Sequence, residues 1–97
     1  MLTTKQKKFL KSQAAALDPV VQIGKNGLDN PVIDSVRKVL TKRELIKIRT
    51  HVNSPLESDE VMANLACMLG AEVVQLIGHT GILFKQKEKN SAYDLPR

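Results

Sequence analysis

The stretch from Asp18 to Pro31 constrains the fold more than any other part of the chain. Asp18-Pro19 ends whatever helix precedes it, because the residue before a proline leaves the α region. Val20-Val21-Gln22-Ile23 is rich in β-branched residues and reads as a short buried strand. Gly24-Lys25-Asn26-Gly27 then turns the chain. Its two glycines adopt positive φ cheaply and let the backbone come very close to a ligand. Asn30 offers a helix N-cap and Pro31 a first helical residue. Strand, glycine turn and helix in direct succession are the beginning of an α/β unit.

The flanking segments extend that pattern. Phe9, Leu10, Ala14 and Leu17 recur at helical spacing, with Thr3 or Thr4 as cap and Lys5, Lys7, Lys8 and Lys11 on the polar side. Val32, Ile33, Val36, Val39 and Leu40 form one apolar stripe, with Arg37 and Lys38 off it and Lys42-Arg43 closing the helix. Leu45 to Val52 predicts a strand in which Ile46 and Ile48 alternate with Lys47 and Arg49. Ser54-Pro55-Leu56-Glu57 has the form of a capping box, with Ser58 as an alternative cap. Val61, Leu65, Met68 and Leu69 follow as an apolar stripe, and Gly70 suits the helix C-terminus. Glu72 to Ile77 and Ile82 to Lys85 predict two strands joined through Gly78-His79-Thr80-Gly81. The expected order is α-β-α-β-α-β-β: an α/β fold with a mixed four-stranded sheet and about three helices. Residues 1–86 are expected to form one domain and 87–97 a polar, frayed C-terminal tail.

Charge separates the two halves of the chain. Residues 1–49 hold eleven Lys/Arg and four Asp/Glu, whereas 50–97 hold four and six. The glycine turn lies in the basic half. Such asymmetry is the electrostatic footprint of a polyanion binder. No apolar run approaches the roughly 18–20 residues of a membrane span, and no secretory signal is evident. The lone Cys67 cannot form an internal disulfide. It fits a cytoplasmic protein and an inert buried thiol in a helix.

Catalytic patterns are missing. There is no P-loop and no dinucleotide fingerprint. One cysteine and two histidines do not make a standard zinc site. His51 and His79 have no companions that spell a triad, so no catalytic residue, metal or cofactor is expected. A Gly-x-x-Gly loop with a lysine inside it does suit a phosphate backbone, and such loops clamp nucleotides in RNA-binding modules. Phe9, Phe84 and Tyr93 are the only aromatics, which favours a reader of backbone and shape over one that stacks many bases.

Several stretches together resemble the CRM domain family, named for chloroplast RNA splicing and ribosome maturation. They are Leu2-Thr3-Thr4-Lys5-Gln6-Lys7, Pro19 through Leu28, Glu44-Leu45-Ile46-Lys47-Ile48 and Val73-Val74-Gln75-Leu76-Ile77-Gly78. The chain resembles the stand-alone bacterial, YhbY-like form of the family. The resemblance implies a KH-like fold similar to the C-terminal domain of translation initiation factor three. It also implies association with precursors of the large ribosomal subunit and RNA contact at Gly24, Lys25, Asn26 and Gly27. Three positions depart from the family pattern. Arg43 replaces a frequent histidine, His79 a usual arginine, and Gly81 through Lys85 a valine-leucine-tyrosine-arginine ending.

The expectation is therefore a non-enzymatic protein whose partner is RNA, large-subunit ribosomal RNA in pre-ribosomal particles, with no membrane or small-molecule substrate. The loop is expected to act with a basic face formed by Lys5, Lys8, Arg37, Lys38, Lys47 and Arg49. A protein-interaction adaptor on the ribosome and a structured-RNA chaperone unrelated to it are the alternatives.

Overall fold

Alternating β-branched and polar residues build short strands here, and apolar stripes at helical spacing hold helices against both faces of the sheet they form. The computed structural model describes residues 2–87 together with Ser91, Tyr93 and Leu95. The elements are α1 (Thr4–Ala14), β1 (Pro19–Ile23), α2 (Asn30–Arg43), β2 (Leu45–Thr50), α3 (Ser58–Leu69), β3 (Glu72–Ile77) and β4 (Thr80–Phe84). This is the predicted order and the predicted fold class. One sheet runs β1-β2-β4-β3. β1 and β2 are parallel neighbours joined by α2, and the other two pairings are antiparallel.

The pleat divides the core in two. Val21, Ile23, Ile46, Ile48 and Leu83 point to one face, where they meet Val36 and Leu40 of α2 and Val61, Met62, Leu65 and Leu69 of α3. Leu45, Val74, Ile82 and Phe84 point to the other, where α1 places Leu10 and Ala14. Tyr93 and Leu95 also pack there, with Tyr93 edge-on to Phe84 at 5.8 Å. The described part of the expected tail is thus tied to the core; residues 88–90, 92, 94, 96 and 97 lie outside the described residues.

Element ends differ in detail from the expectations. Thr3 caps α1 in a full capping box with Gln6, but the helix stops at Ala14, before Leu17. Asp29 caps α2 instead of Asn30; its Oδ1 accepts from the Val32 N–H at 3.1 Å. Ser54 closes a local turn with Leu56, so it caps nothing, and α3 begins after Glu57 without a side-chain cap. Gly70 ends α3 in the left-handed conformation, as predicted. The β3–β4 turn is only Gly78-His79, since Ile77 already pairs with Thr80. Cys67 is exposed, because it stands off the stripe that α3 buries.

Candidate nucleic-acid interface

Parallel pairing brings the ends of β1 and β2 side by side, with Ile23 opposite Thr50. The β3–β4 turn arrives at the same end, since Thr80 pairs with Arg49. Three connections therefore meet there: 24–29, 51–57 and Gly78-His79. Backbone bonds fasten them. His51 N–H donates to Ile23 O and Thr50 N–H to His79 O, both at 2.8 Å. Ser58 Oγ donates to Gly78 O, also at 2.8 Å. Ligands of open α/β sheets gather at such carboxyl ends of strands.

The glycine loop is a tight turn closed by the Gly27 N–H donating to Gly24 O at 3.0 Å. Lys25 and Asn26 form its corner, and both are exposed. The two glycines differ. Gly27 has φ +60°, and a Cβ on it would stand 3.0 Å from Pro55 Cγ. Gly24 lies outside the left-handed region, and a Cβ there would meet nothing within 4 Å. The expectation of positive φ thus holds at Gly27 alone. The fold needs glycine at 27; at 24, glycine leaves room that the chain itself does not use.

The α2 N-terminus is less open to an anion than its sequence implies. Pro31 has no N–H, Val32 donates to Asp29 Oδ1, and Ile33 donates to Asp29 O at 3.0 Å. The Asp29 carboxylate also offsets the positive end of the helix dipole. Attraction for a phosphate at this end falls to Lys25 and to the loop's backbone.

Next to the loop, the α1 side of the sheet is partly bare. α1 lies mainly over β2 and β3, and Val20 and Gln22 of β1 are exposed. Leu2 just before α1 and Gln6 in its first turn stand by Phe84, and Lys11 near its other end stands by Lys47 and Ile82. Register places Gln22, Arg49, Thr80 and Ile77 in one row across the open part, and Lys47, Ile82 and Gln75 in the next. His51 Nε2–H donates to Gln22 Oε1 at 2.6 Å, which joins this row to the end of β2.

The six basic side chains expected to form one face are divided by the sheet. Lys47 and Arg49 lie on the α1 side, because Ile46 and Ile48 take the other. Lys5 and Lys8 are exposed on α1, opposite the side that buries Leu10 and Ala14. Arg37 and Lys38 sit on α2, across the sheet. Arg37 lines a groove with Met68 of α3 and pairs with Asp34 at 2.6 Å. Helical periodicity identifies the polar side of each helix; it carries no information on which side of the sheet that helix packs. Lys11 and Gln22, which sequence reasoning did not select, lie beside Lys47 and Arg49. Their only signal is the flank of the α1 stripe and the polar position in β1.

Among the described residues, no group of three or more His, Cys, Asp or Glu is placed to hold a metal ion, and no helix is long and apolar enough to cross a membrane.

Known proteins are similar to this chain in sequence and fold. The chain is 38% identical to the Bacillus subtilis "Probable RNA-binding protein YqeI" over 99% of its own length and all of the relative's. It is 37% identical to a Haemophilus influenzae protein named "RNA-binding protein", across 99% of this chain and 96% of that one. The solution structure of a hypothetical protein from Staphylococcus aureus superposes with a TM-score of 0.83 at 35% identity, covering 99% of this chain and 100% of the other. The family model of the CRS1 / YhbY (CRM) domain matches residues 2–85. With that match spanning both core clusters and the glycine loop, the chain belongs to the CRS1/YhbY (CRM) domain family.

Proposed function

We propose that this protein binds RNA through the Gly24-Lys25-Asn26-Gly27 turn and assists assembly of the large ribosomal subunit. The observation that carries the reading is the unused space at Gly24. No left-handed backbone and no neighbouring atom accounts for a glycine there. Close approach by a ligand does, because a bare Cα lets backbone groups reach phosphate oxygens. Lys25 supplies charge at the corner, and Asn26 offers donors to phosphate or ribose. The RNA-binding names of full-length relatives support the partner. The large-subunit assignment rests on the family resemblance, and the cytoplasmic location on the lone Cys67, which fits a reducing compartment. The role proposed is that of a binding protein without catalysis, because the sequence carries no catalytic pattern.

Sedimentation of a cell lysate through a low-salt sucrose gradient, with and without ribonuclease, tests the proposal. Co-sedimentation with free large subunits or their precursors, lost after ribonuclease, is expected. Complexes that survive ribonuclease would favour a protein adaptor, and protein at the top of both gradients would remove the ribosome from the account.

A further inference from the structure

We propose that the bare part of the sheet beside α1 seats one unpaired nucleotide of the RNA held by the glycine loop. This rests on the loop reading and extends it, since it adds a preference for RNA with an unpaired residue. The site is a groove of about 350 Å³ between the last turns of α1 and the β2–β4–β3 part of the sheet. That is the lower end of the size range of small-ligand pockets. Its floor is Ile82 and Ile77, with Gln75 and Thr80 beside them.

Ile77 is two-thirds exposed, on a sheet face where the same strand's Val74 is buried beneath α1. An apolar side chain left open beside polar amide and hydroxyl groups matches a nucleobase, which has an apolar face and a hydrogen-bonding edge. Gln75 and Thr80 supply donors and acceptors for that edge.

Charge selects the occupant. Lys11 and Lys47 flank the groove and Arg49 stands in the neighbouring row, while no acidic side chain among the described residues lines it. The acid on this face, Glu72, pairs with Phe84 in the row beyond Gln75 and Ile82 and lies outside the groove lining. Three cations around an apolar floor fit a base with its phosphates; they do not fit an apolar peptide or a second copy of this basic chain. Position agrees as well. Gln22, two residues before Gly24, pairs in register with Arg49, so a strand leaving the loop crosses β1 directly onto this face. With strands about 4.8 Å apart, the row from Gln22 to Ile77 spans about 14 Å.

The test compares two synthetic RNA duplexes of equal length, one fully paired and one carrying a single unpaired nucleotide, by fluorescence anisotropy. Wild-type protein should bind the second about tenfold more tightly, the order that seating one base supplies. Ile77→Ser and, independently, Lys47→Gln should bring the ratio close to one, with folding checked by circular dichroism. Lys25→Glu should weaken binding to both duplexes and leave the ratio intact. Equal wild-type affinity for the two duplexes would overturn the proposal, as would a ratio that survives both groove variants. Unchanged binding of Lys25→Glu to both duplexes would instead sink the loop reading, so the two failures are distinct.

Discussion

At the level of single residues, the two glycines of the loop make opposite predictions. Gly24 has a backbone conformation open to any L residue and free space at its Cβ position. Gly24→Ala should therefore keep or raise stability, by about 0.4–1 kcal/mol through the unfolded chain. Its RNA affinity should nevertheless fall, because the added methyl occupies the approach to the backbone. Gly27→Ala meets Pro55 and a left-handed φ, and should lose about 1–2 kcal/mol. Urea denaturation and RNA titration on both variants separate the effects. A Gly24→Ala protein with unchanged affinity would take the backbone out of the contact. Lys25 belongs to the same scale. It is exposed, so Lys25→Glu should leave the denaturation midpoint in place and weaken RNA binding by roughly tenfold at low salt, as expected for loss of a phosphate contact. Sequence makes the pair of glycines visible but not their division of labour, because φ and the neighbour of a Cβ are set by tertiary packing against Pro55.

Among the elements, β4 has the least freedom. A Cβ on Gly81 would stand 2.5 Å from Met62 Sδ, and Met62 is buried in the core between α3 and the sheet. Gly81→Ala should therefore cost about 1–3 kcal/mol by overpacking. Combined with Met62→Ala it should cost less than the two changes summed, which a double-mutant cycle in urea would measure. The Gly78-His79-Thr80-Gly81 string reads as a turn, yet Gly81 is glycine because α3 lies against it. The end of α2 shows a second constraint of the same kind. Glu44 is buried with φ +66°, and its Oε2 accepts from Lys87 N–H at 3.1 Å and from Ser91 Oγ at 2.6 Å. Tyr93 in that segment has its phenol pushed above the ordinary value of 10.0 by burial and then by the Glu44 charge. A raised folded value means stability that is complete below about pH 10 and declines as pH rises through the folded value. Tyr93→Phe should lose less stability on alkaline titration than wild type; parallel curves would show that folding leaves the phenol's ionisation unshifted. The legible and illegible parts of the elements follow from these cases. Alternation at Ile46 and Ile48, and the stripes of α2 and α3, appear in the sequence because burial imposes a period. Adjacent capping residues such as Asp29 and Asn30 are chemically equivalent, so packing decides between them. Nothing local announces that residues after β4 return to Glu44.

For the molecule as a whole, the decisive property is that the sheet separates its cations. Lys11, Lys25, Lys47 and Arg49 border the loop and the α1 side, whereas Arg37 and Lys38 ride on α2 behind the opposite face. On the proposed path, one RNA strand passing from the loop onto the α1 side would engage the first four and miss the other two. Four phosphate contacts give a slope of log K against log salt of about −2.8 for single-stranded RNA, and near −3.6 if duplex RNA behaves as B-DNA does. Replacing Lys47 and Arg49 together by Gln should flatten that slope by about 1.4–1.8. Replacing Arg37 and Lys38 by Gln should leave it within error. Arg37 is already paired to Asp34 in solvent, so its loss should change stability by less than about 1 kcal/mol as well. Equal flattening by the two double variants would mean that RNA wraps both faces of the sheet. A steep wild-type slope untouched by Lys47 and Arg49 would place the track elsewhere on the basic half of the chain. Either result is read directly from titrations at several salt concentrations, without knowledge of the RNA's natural sequence, because counterion release depends on phosphates and not on bases.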